Sequence, residues 1–158
     1  MKIRIITKED AKSIPVDDIS RIDALAQESA RSQGLKEAIT SFSKFITSDP
    51  PQTLFLFFQD DEPRGLLKIG RKTLWFHDGS ELRQHTPLCV LDFFVSTQRQ
   101  GCGIDLFKAM LDHQGTSADN LAYDRPSDKL RMFLNKHFNF KPQIHANKFA
   151  FSINRVRN

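Results

Sequence analysis

The chain has 158 residues, of which 39% are hydrophobic and 27% are charged, and these proportions are typical of one water-soluble domain with its own core. No apolar run approaches the ~20 residues that span a bilayer, and the apolar start at residues 1–6 is too short for a signal peptide. We therefore expect a cytoplasmic protein without a membrane partner, in which residues 1–6 form a strand.

Net charge and the spacing of the cysteines and histidines indicate which ligands the protein does not bind. The 23 Lys and Arg residues exceed the 19 Asp and Glu, for a net charge of +4, which suits polyanionic ligands or acidic protein surfaces. The basic residues are scattered and no nucleic-acid-reading motif accompanies them, so we expect no nucleic-acid partner. Cys89 and Cys102 give neither a disulfide framework nor a zinc spacing. The histidines share no metal-ligand spacing either, so we predict no metal site: His77, His85, His113, His137 and His145.

Two helices are predicted after the first strand. Asp17 or Asp18 is a suitable N-cap for the first, and Gly34 is a suitable end. Between them apolar residues recur at helical spacing: Ile19, Ile22, Leu25 and Ala26. A second, shorter helix is predicted over residues 36–46, before the Pro50–Pro51 pair.

The middle of the chain predicts an antiparallel meander. Residues 53–58, Thr-Leu-Phe-Leu-Phe-Phe, have the length and residue types of a buried strand. Residues 60–63 form a turn, after which strands are predicted over 65–69 and 73–76. A longer apolar strand follows at residues 88–95.

The last third predicts a helix, a short strand, a second helix and a final strand. The first of these helices begins near Ile104 and ends at Gly115; its apolar stripe is Ile104, Phe107, Met110 and Leu111. Residues 121–123 are the short strand, and Ser127 caps the next helix, whose apolar positions are Leu130, Phe133, Leu134 and Phe138. The final strand covers residues 148–153. We therefore expect one mixed α/β domain over residues 1–158, with a largely antiparallel central sheet flanked by helices.

The segment 98–103, Gln-Arg-Gln-Gly-Cys-Gly, lies between the strand at 88–95 and the helix near Ile104. Two glycines allow the backbone to approach a ligand closely, and the start of a helix presents unpaired N–H groups to an anion. A pyrophosphate-binding turn is one interpretation. An ordinary strand-to-helix turn is the other, and these residues alone favour neither.

Several separate segments together carry a resemblance to a known family. The longer ones are residues 88–93, 98–103, 124–130 and 133–137, and shorter matches occur at Gln33, 39–41, 68–72, 142–143 and 147–149. On these residues the chain resembles the α-tubulin N-acetyltransferase family, within the GNAT superfamily of N-acetyltransferases. The resemblance implies the GNAT fold.

The same resemblance implies an activity, a co-substrate and a partner. The activity is direct transfer of an acetyl group from acetyl-CoA to a lysine amine of α-tubulin, within a ternary complex. The implied partners are microtubules, the implied location is the cytoskeleton, including cilia and flagella, and we expect a monomer. The alternatives are a GNAT enzyme that acts on another protein lysine or a small amine, and a non-catalytic microtubule-binding relative.

Three residues are the candidate catalytic groups. A free lysine amine has a pKa of ~10.4, so supplying the neutral form at pH 7 costs roughly 4 to 5 kcal/mol, and a nearby carboxylate can bind the ammonium and help remove its proton. Asp124, at the end of a short strand, is the first candidate for this role; the alternative is that it only caps the next turn. The resemblance adds Cys89, as a base or polar neighbour, and Gln33, as a hydrogen-bonding residue. From sequence alone, Cys89 is a packing residue, and Asp92 lies on the opposite strand face and is structural, unless a β-bulge intervenes.

The resemblance also implies the acetyl-CoA contacts. They are the strand residues Phe93, Phe94 and Val95, the turn residues Gln98, Arg99, Gln100, Gly101, Cys102, Gly103 and Ile104, and the helix residues Ser127, Lys129 and Lys136. Lys129 and Lys136 also fit ordinary exposed helix positions. Two departures from the family pattern affect the turn. Only Ser96–Thr97 separates the strand from the turn, and Ile104 replaces an arginine common in the family, so Arg99 is the expected phosphate partner.

Overall fold

A computed structural model describes residues 2–96, 101–144 and 149–151 of the chain. The helices in these ranges are α1 (Val16–Ser32), α2 (Phe42–Ile46), α3 (Cys102–Gln114) and α4 (Asp128–Phe138). The strands are β1 (Lys2–Thr7), β2 (Thr53–Gln59), β3 (Glu62–Arg71), β4 (Leu74–Asp78), β5 (Glu81–His85), β6 (Leu88–Val95), β7 (Ala122–Asp124), β8 (Gln143–Ile144) and β9 (Phe149–Phe151). Short 3-10 turns cover Asp10–Ser13 and Ala118–Asn120. No helix of the described residues combines the length and apolarity that a membrane span requires.

Seven strands form the main sheet, in the order β1-β2-β3-β6-β7-β9-β8. Strands β6 and β7 run parallel, and the other neighbouring pairs run antiparallel. The predicted mixed α/β class with a largely antiparallel sheet is confirmed. The β6–β7 pairing covers only Cys89–Ala122 and Val90–Tyr123. Beyond Val90, strand β6 continues to Val95 paired with β3 but not with β7, which leaves a gap at one edge of β6.

Two apolar clusters pack on opposite faces of this sheet. Helices α3 and α4 contribute to one cluster, and α1 and α2 contribute to the other. The phenylalanine-rich β2 serves both clusters, because its side chains alternate between the two faces: Phe55 and Phe57 face α3, whereas Leu54, Leu56 and Phe58 face α1. Each fully buried Leu or Phe contributes about 1.5 to 3 kcal/mol.

The predicted helix over 36–46 is wrong in its first half. Only Phe42–Ile46 is helical, and the Ser41 hydroxyl caps it by accepting a 3.2 Å hydrogen bond from Lys44 N. The preceding segment is not helical, and it buries Ala38 and Thr40. Lys44 Nζ donates a 3.0 Å hydrogen bond to Ala38 O. Side-chain contacts, and not helical backbone hydrogen bonds, therefore hold this segment.

The N-cap predicted for the first helix is also wrong. Pro15 is the N-cap of α1, without a side-chain cap bond, and Asp17 and Asp18 lie inside the first turn. Their negative charges still favour this end of the helix, because the helix dipole is positive there. The predicted end is confirmed, since Gly34 follows the C-cap with a φ of +69°.

The predicted meander is wrong at its third strand. β3 pairs directly with β6, and β4 pairs instead with β5, a strand that was not predicted. The two form a separate hairpin between β3 and β6, with Gly79 in its turn at a φ of +67°. Strand β5 is largely polar and exposed, so it lacks the apolar alternation that identifies a strand in sequence.

Most of the remaining elements confirm the sequence predictions. Asp60 and Asp61 form the β2–β3 turn with positive φ angles of 53° and 61°, as a tight hairpin requires. Helix α3 ends at Gly115 with a φ of +62°. Of the predicted last strand, Phe149–Phe151 is observed, and residues 148 and 152–153 lie outside the described residues.

Candidate active site

Asp124, the predicted base, lies at the end of β7 with its side chain 15% exposed. Its Oδ2 lies 2.8 Å from Lys72 Nζ, immediately after the end of β3. Its Oδ1 is buried and accepts no hydrogen bond from the described part of the chain. Asp124 therefore does not cap the following turn, and one carboxylate oxygen remains available beside an ion pair.

Lys72 was not selected as a site residue from sequence. It stands in the segment 68–72 that matches the family, but nothing local pairs it with a carboxylate 52 residues further along the chain. The contact arises because β6 lies between β3 and β7 in the sheet. Lys72 also donates its backbone N–H to Pro87 O at 3.3 Å, which fixes the start of β6 beside it.

A buried polar cluster joins β6 to the segment before α2. Thr40 Oγ1 donates a 2.7 Å hydrogen bond to Asp92 Oδ2, and Lys68 Nζ donates one of 3.2 Å to Ile39 O. Burial raises the pKa of Asp92, while the Thr40 hydrogen bond and the charge of Lys68 oppose this rise. Burial lowers the pKa of Lys68, and the charge of Asp92 opposes that shift. Asp92 was predicted to pair with a neighbour in a structural role, and Thr40 and Lys68 are the partners that the structure gives it.

A β-bulge in β6 sets which side chains share a face. Lys68 pairs with Asp92 and Ile69 with Val90, so Leu91 has no partner on β3. Val90 and Phe93 consequently belong to the same apolar cluster, instead of alternating. Cys89 and Asp92 both lie on the other face of the sheet, together with Asp124. The sequence prediction put Cys89 and Asp92 on opposite faces unless a β-bulge intervened, and this bulge does intervene.

Cys89 is fully buried near Asp124, and its Sγ lies 3.5 Å from Pro87 O. Burial raises the pKa of this thiol to about 12, and the negative charge of Asp124 contributes to the rise. The thiol is therefore a protonated, polar neighbour of the carboxylate.

A small cleft lies beside these groups. Its lining includes Gln33, Ile39, Asp92, Asp124, Arg125 and Ser127. Its volume is about 20 Å³, enough for one water molecule. Gln33 caps the end of α1 and donates to Ser29 Oγ at 3.0 Å, which brings its amide to the cleft. Arg125, not selected from sequence, has a φ of +46°, a conformation that is rare for a residue other than glycine and often marks a functional constraint.

The predicted acetyl-CoA residues of β6 lie where this strand has no β7 partner. Phe93 packs against Phe107 and Phe133, with ring centroids 5.6 and 5.1 Å away. Phe94 packs against the α1 cluster, and Val95 pairs with Gly65 of β3. The two phenylalanine side chains therefore anchor this end of β6 from both sides.

The turn after β6 leads into an uncapped helix end. Gly101 is the N-cap of α3 with a φ of +81° and no side-chain cap bond. No described side chain bonds the first N–H groups of α3, which suits them to face a ligand. A Cβ atom on Gly103 would meet no atom closer than 3.6 Å, and Cys102 and Ile104 are half-buried. The predicted contacts Gln98, Arg99 and Gln100 lie outside the described residues.

The α4 residues flank the same helix end. Phe133 lies 3.6 Å from the Cβ position of Gly103, and Lys129 and Lys136 are exposed at positions four before and three after it, which puts them near Phe133 on the helix surface. Ser127 Oγ caps α4 by accepting a 3.1 Å hydrogen bond from Leu130 N. Among the residues described, no three metal-ligating side chains cluster.

Comparisons with known proteins agree with this geometry. The chain is 41% identical over 129 residues to an alpha-tubulin N-acetyltransferase of Tetrahymena thermophila, and the match covers 80% of this chain and 32% of that protein. It is 43% identical over 116 residues to an alpha-tubulin N-acetyltransferase of Phytophthora infestans, covering 68% of this chain and 65% of that protein. The chain thus spans less than two thirds of either relative.

A crystal structure of a Bacillus halodurans protein superposes with a TM-score of 0.59, covering 92% of this chain and 96% of that one at 15% identity. At this identity the likeness shows a shared fold. A family model described as "GNAT acetyltransferase, Mec-17" matches residues 5–153, nearly the whole chain. The match includes the strands, the cleft and the α3 turn, and the chain belongs to this Mec-17 family of GNAT acetyltransferases.

Proposed function

We propose that this chain transfers an acetyl group from acetyl-CoA to a lysine side-chain amine of α-tubulin in microtubules. Membership of the Mec-17 family and the printed names of its relatives support this activity. The observation that carries the proposal is the Asp124 carboxylate, which holds one ammonium group through Oδ2 and keeps Oδ1 unpaired beside a cleft.

Asp124 acts on the lysine side of the reaction. Its 2.8 Å contact with Lys72 Nζ is a charge-assisted bond to an ammonium group, and bonds of this kind are strong and directional. Asp124 binds the incoming ammonium and accepts its proton, directly or through water in the cleft. Lys72 offsets part of the negative charge of Asp124, which weakens the attraction between the carboxylate and the substrate ammonium before the proton is lost.

Cys89 acts as a polar neighbour in this mechanism and not as the base. The raised pKa of about 12 keeps it protonated at neutral pH, so it does not form a covalent acyl carrier. Gln33 contributes a side-chain amide to the cleft that Asp124 also lines. The acetyl group therefore passes directly to the amine, with both substrates bound together.

The residues of β6, α3 and α4 fit acetyl-CoA. The unpaired edge of β6 beyond Val90 offers backbone groups to an extended pantetheine arm, through Phe93, Phe94 and Val95. The uncapped start of α3 at Gly101, Cys102, Gly103 and Ile104 suits the pyrophosphate. Acetyl-CoA supplies the activated thioester when bound.

Further residues complete the proposed acetyl-CoA site. Gln98, Arg99 and Gln100, which lie outside the described residues, are further proposed contacts of the pyrophosphate. Lys129 and Lys136 supply positive charge from the neighbouring helix, and Ser127 positions that helix through its cap. We further propose that residues 1–158 act as one domain and as a monomer, in the cytoplasm and on the microtubule cytoskeleton, including cilia and flagella. No metal, nucleic acid or membrane is required.

Incubation with acetyl-CoA and polymerised tubulin, followed by mass-spectrometric mapping of acetylated lysines, tests the proposal. Acetylation of one α-tubulin lysine well above the uncatalysed level is the expected result. Acetylation of free polyamines but not of tubulin would indicate a GNAT enzyme for small amines. Microtubule co-sedimentation without any acetyl transfer would indicate a non-catalytic binding relative.

A further inference from the structure

Ile39 is an exposed apolar residue between two buried ones, in the segment that joins α1 to α2. Ala38 and Thr40 are buried, whereas Ile39 is 39% exposed. The Ile39 carbonyl accepts a 3.2 Å hydrogen bond from the ammonium of Lys68, which is itself buried, so this carbonyl faces the protein interior. The exposed surface of Ile39 therefore belongs mainly to its branched apolar side chain.

Four hydrogen bonds, each to a side chain of a different element, hold residues 38–42. The bonded side chains are those of Asp23 in α1, Lys44 in α2, Lys68 in β3 and Asp92 in β6. An isoleucine on a backbone held in this way loses little freedom on contact with a ligand, because its β-branch already restricts χ1. Ile39 is thus a preorganised apolar contact.

Ile39 lines the same cleft as Asp124. Lys68 provides a second connection between them, since it holds the Ile39 carbonyl. Burial lowers the pKa of Lys68, and the charges of Asp92 and Asp124 oppose this shift, which places Lys68 near both carboxylates. Of the apolar residues that the structure describes in the cleft lining, Ile39 is the most exposed. It is therefore the apolar side chain at the mouth of the cleft.

The size of the cleft separates the two parts of a lysine side chain. Its volume of about 20 Å³ accepts one group of the size of a water molecule, and an ammonium group is of that size. When the ammonium of a substrate lysine binds Asp124, its methylene stem must therefore lie along the mouth, where Ile39 stands. Contact between the stem and Ile39 removes apolar surface from water. It also removes water from around the ammonium, which favours the neutral amine.

We propose that Ile39 contacts the methylene stem of the substrate lysine and thereby selects an amine that is carried on a long apolar chain. The identity of this lysine as the acetyl acceptor rests on the proposed function. Ile39 takes no proton and forms no bond to the acetyl group, so it is a specificity-determining residue. A short amine reaches Asp124 without this contact and binds correspondingly more weakly.

Binding of n-butylamine and ethylamine, followed by NMR titration without acetyl-CoA, tests the contact independently of catalysis. n-Butylamine reproduces a lysine side chain beyond Cα, and ethylamine is shorter by two methylene groups. We expect the parent to bind n-butylamine about tenfold more tightly than ethylamine, the equivalent of roughly two buried methylene groups. Ile39→Ala should bind the two amines alike. Ile39→Val keeps the β-branch and should retain most of the preference.

Ile46→Ala is the matched control for Ile39→Ala. Ile46 lies in α2, is 41% exposed and is not among the described residues of the cleft lining, so this variant should keep the preference for n-butylamine. Three results would overturn the proposal: equal affinity of the parent for the two amines, a preference that survives in Ile39→Ala, or its loss in both alanine variants.

Microtubules as substrate separate this inference from the proposed function. Ile39→Ala should lower kcat/KM for microtubules about tenfold, mainly through a higher KM. An unchanged kcat/KM in Ile39→Ala would overturn the contact and leave the proposed function standing. A preference for n-butylamine that requires Ile39, in a protein that acetylates no tubulin, would reject the proposed function and leave the contact assigned.

Discussion

Thr40 and Asp92 are 52 residues apart in the chain and joined by a buried 2.7 Å hydrogen bond. Thr40 is 1% exposed and Asp92 is 6% exposed, so water cannot replace this bond. It attaches the segment between α1 and α2 to β6, and the neighbouring Ile39 carbonyl is held by Lys68 on β3. Ile39 and Gln33 line the cleft beside Asp124, and the buried bond therefore fixes one wall of the candidate active site.

Replacement of Thr40 by valine should destabilise the protein and impair its activity. Val lacks the hydroxyl donor and leaves the buried Asp92 carboxylate without that partner, for a loss of about 1 to 3 kcal/mol. Thermal denaturation should show a lower Tm, by about 2 to 4 °C per kcal/mol for a chain of this size. Thr40→Ser keeps the hydroxyl and should lose much less. Equal Tm values for the parent and Thr40→Val would contradict an energetic role for this bond.

Asp124→Asn should greatly reduce acetyl transfer, because a neutral amide cannot attract an ammonium or accept its proton. We expect kcat/KM for the amine substrate to fall at least a hundredfold, while acetyl-CoA affinity measured by calorimetry stays within about twofold. Asp128→Asn is the matched control, since Asp128 is an exposed carboxylate at the start of α4 whose described partner is Arg131. If Asp124→Asn and Asp128→Asn turn over at similar rates, Asp124 has no part in the reaction.

The titration of the Cys89 thiol should make stability depend on pH only in the alkaline range. The pKa of this thiol rises from 9.0 to about 12 on folding, chiefly through burial, so the folded state holds its proton more tightly than the unfolded state. The resulting stabilisation is complete below pH 9 and is lost as pH rises from 9 to about 12, with a limiting slope of about 1.4 kcal/mol per pH unit. Cys89→Ser removes the titrating thiol but keeps a hydrogen-bond donor, so its unfolding free energy should fall less steeply across this range. Parallel pH profiles would show that the thiol titrates alike in both states.

Sequence patterns predicted correctly the helices, strands and caps that depend on residues close together in the chain. The apolar run at residues 53–58 forms β2, Ser127 caps α4, and Gly115 ends α3, because each signal acts through its own or adjacent residues. The contacts that assemble the site depend on sheet order instead. Lys72 meets Asp124 only because β6 lies between their strands, and no spacing in the chain records this relationship.

Local sequence patterns also fail to predict which side chains of β6 face the cleft. A period of two residues assigns Cys89 and Asp92 to opposite faces, and the bulge at Leu91 reverses this assignment. The segment at 36–41 has helical composition, yet Thr40 is fixed by Asp92 and Ile39 by Lys68. In both cases a partner distant in the chain overrides the local preference.

Gly101→Val should weaken acetyl-CoA binding through the turn that opens α3. The φ of +81° at Gly101 is unfavourable for valine, and a Cβ atom there would lie 3.4 Å from Ile104 Cγ2, so the turn must shift and move the first N–H groups of α3. We expect acetyl-CoA affinity by calorimetry to fall at least tenfold, for the loss of one or more charge-assisted bonds. Gly79→Val is the matched control, because Gly79 has a similar φ of +67° with no atom within 4 Å of its Cβ position, in the turn of the β4–β5 hairpin. Both variants incur backbone strain of about 1 to 2 kcal/mol, which a Tm measurement reports, and only Gly101→Val should lose affinity. If both variants bind acetyl-CoA like the parent, the pyrophosphate does not lie at the start of α3.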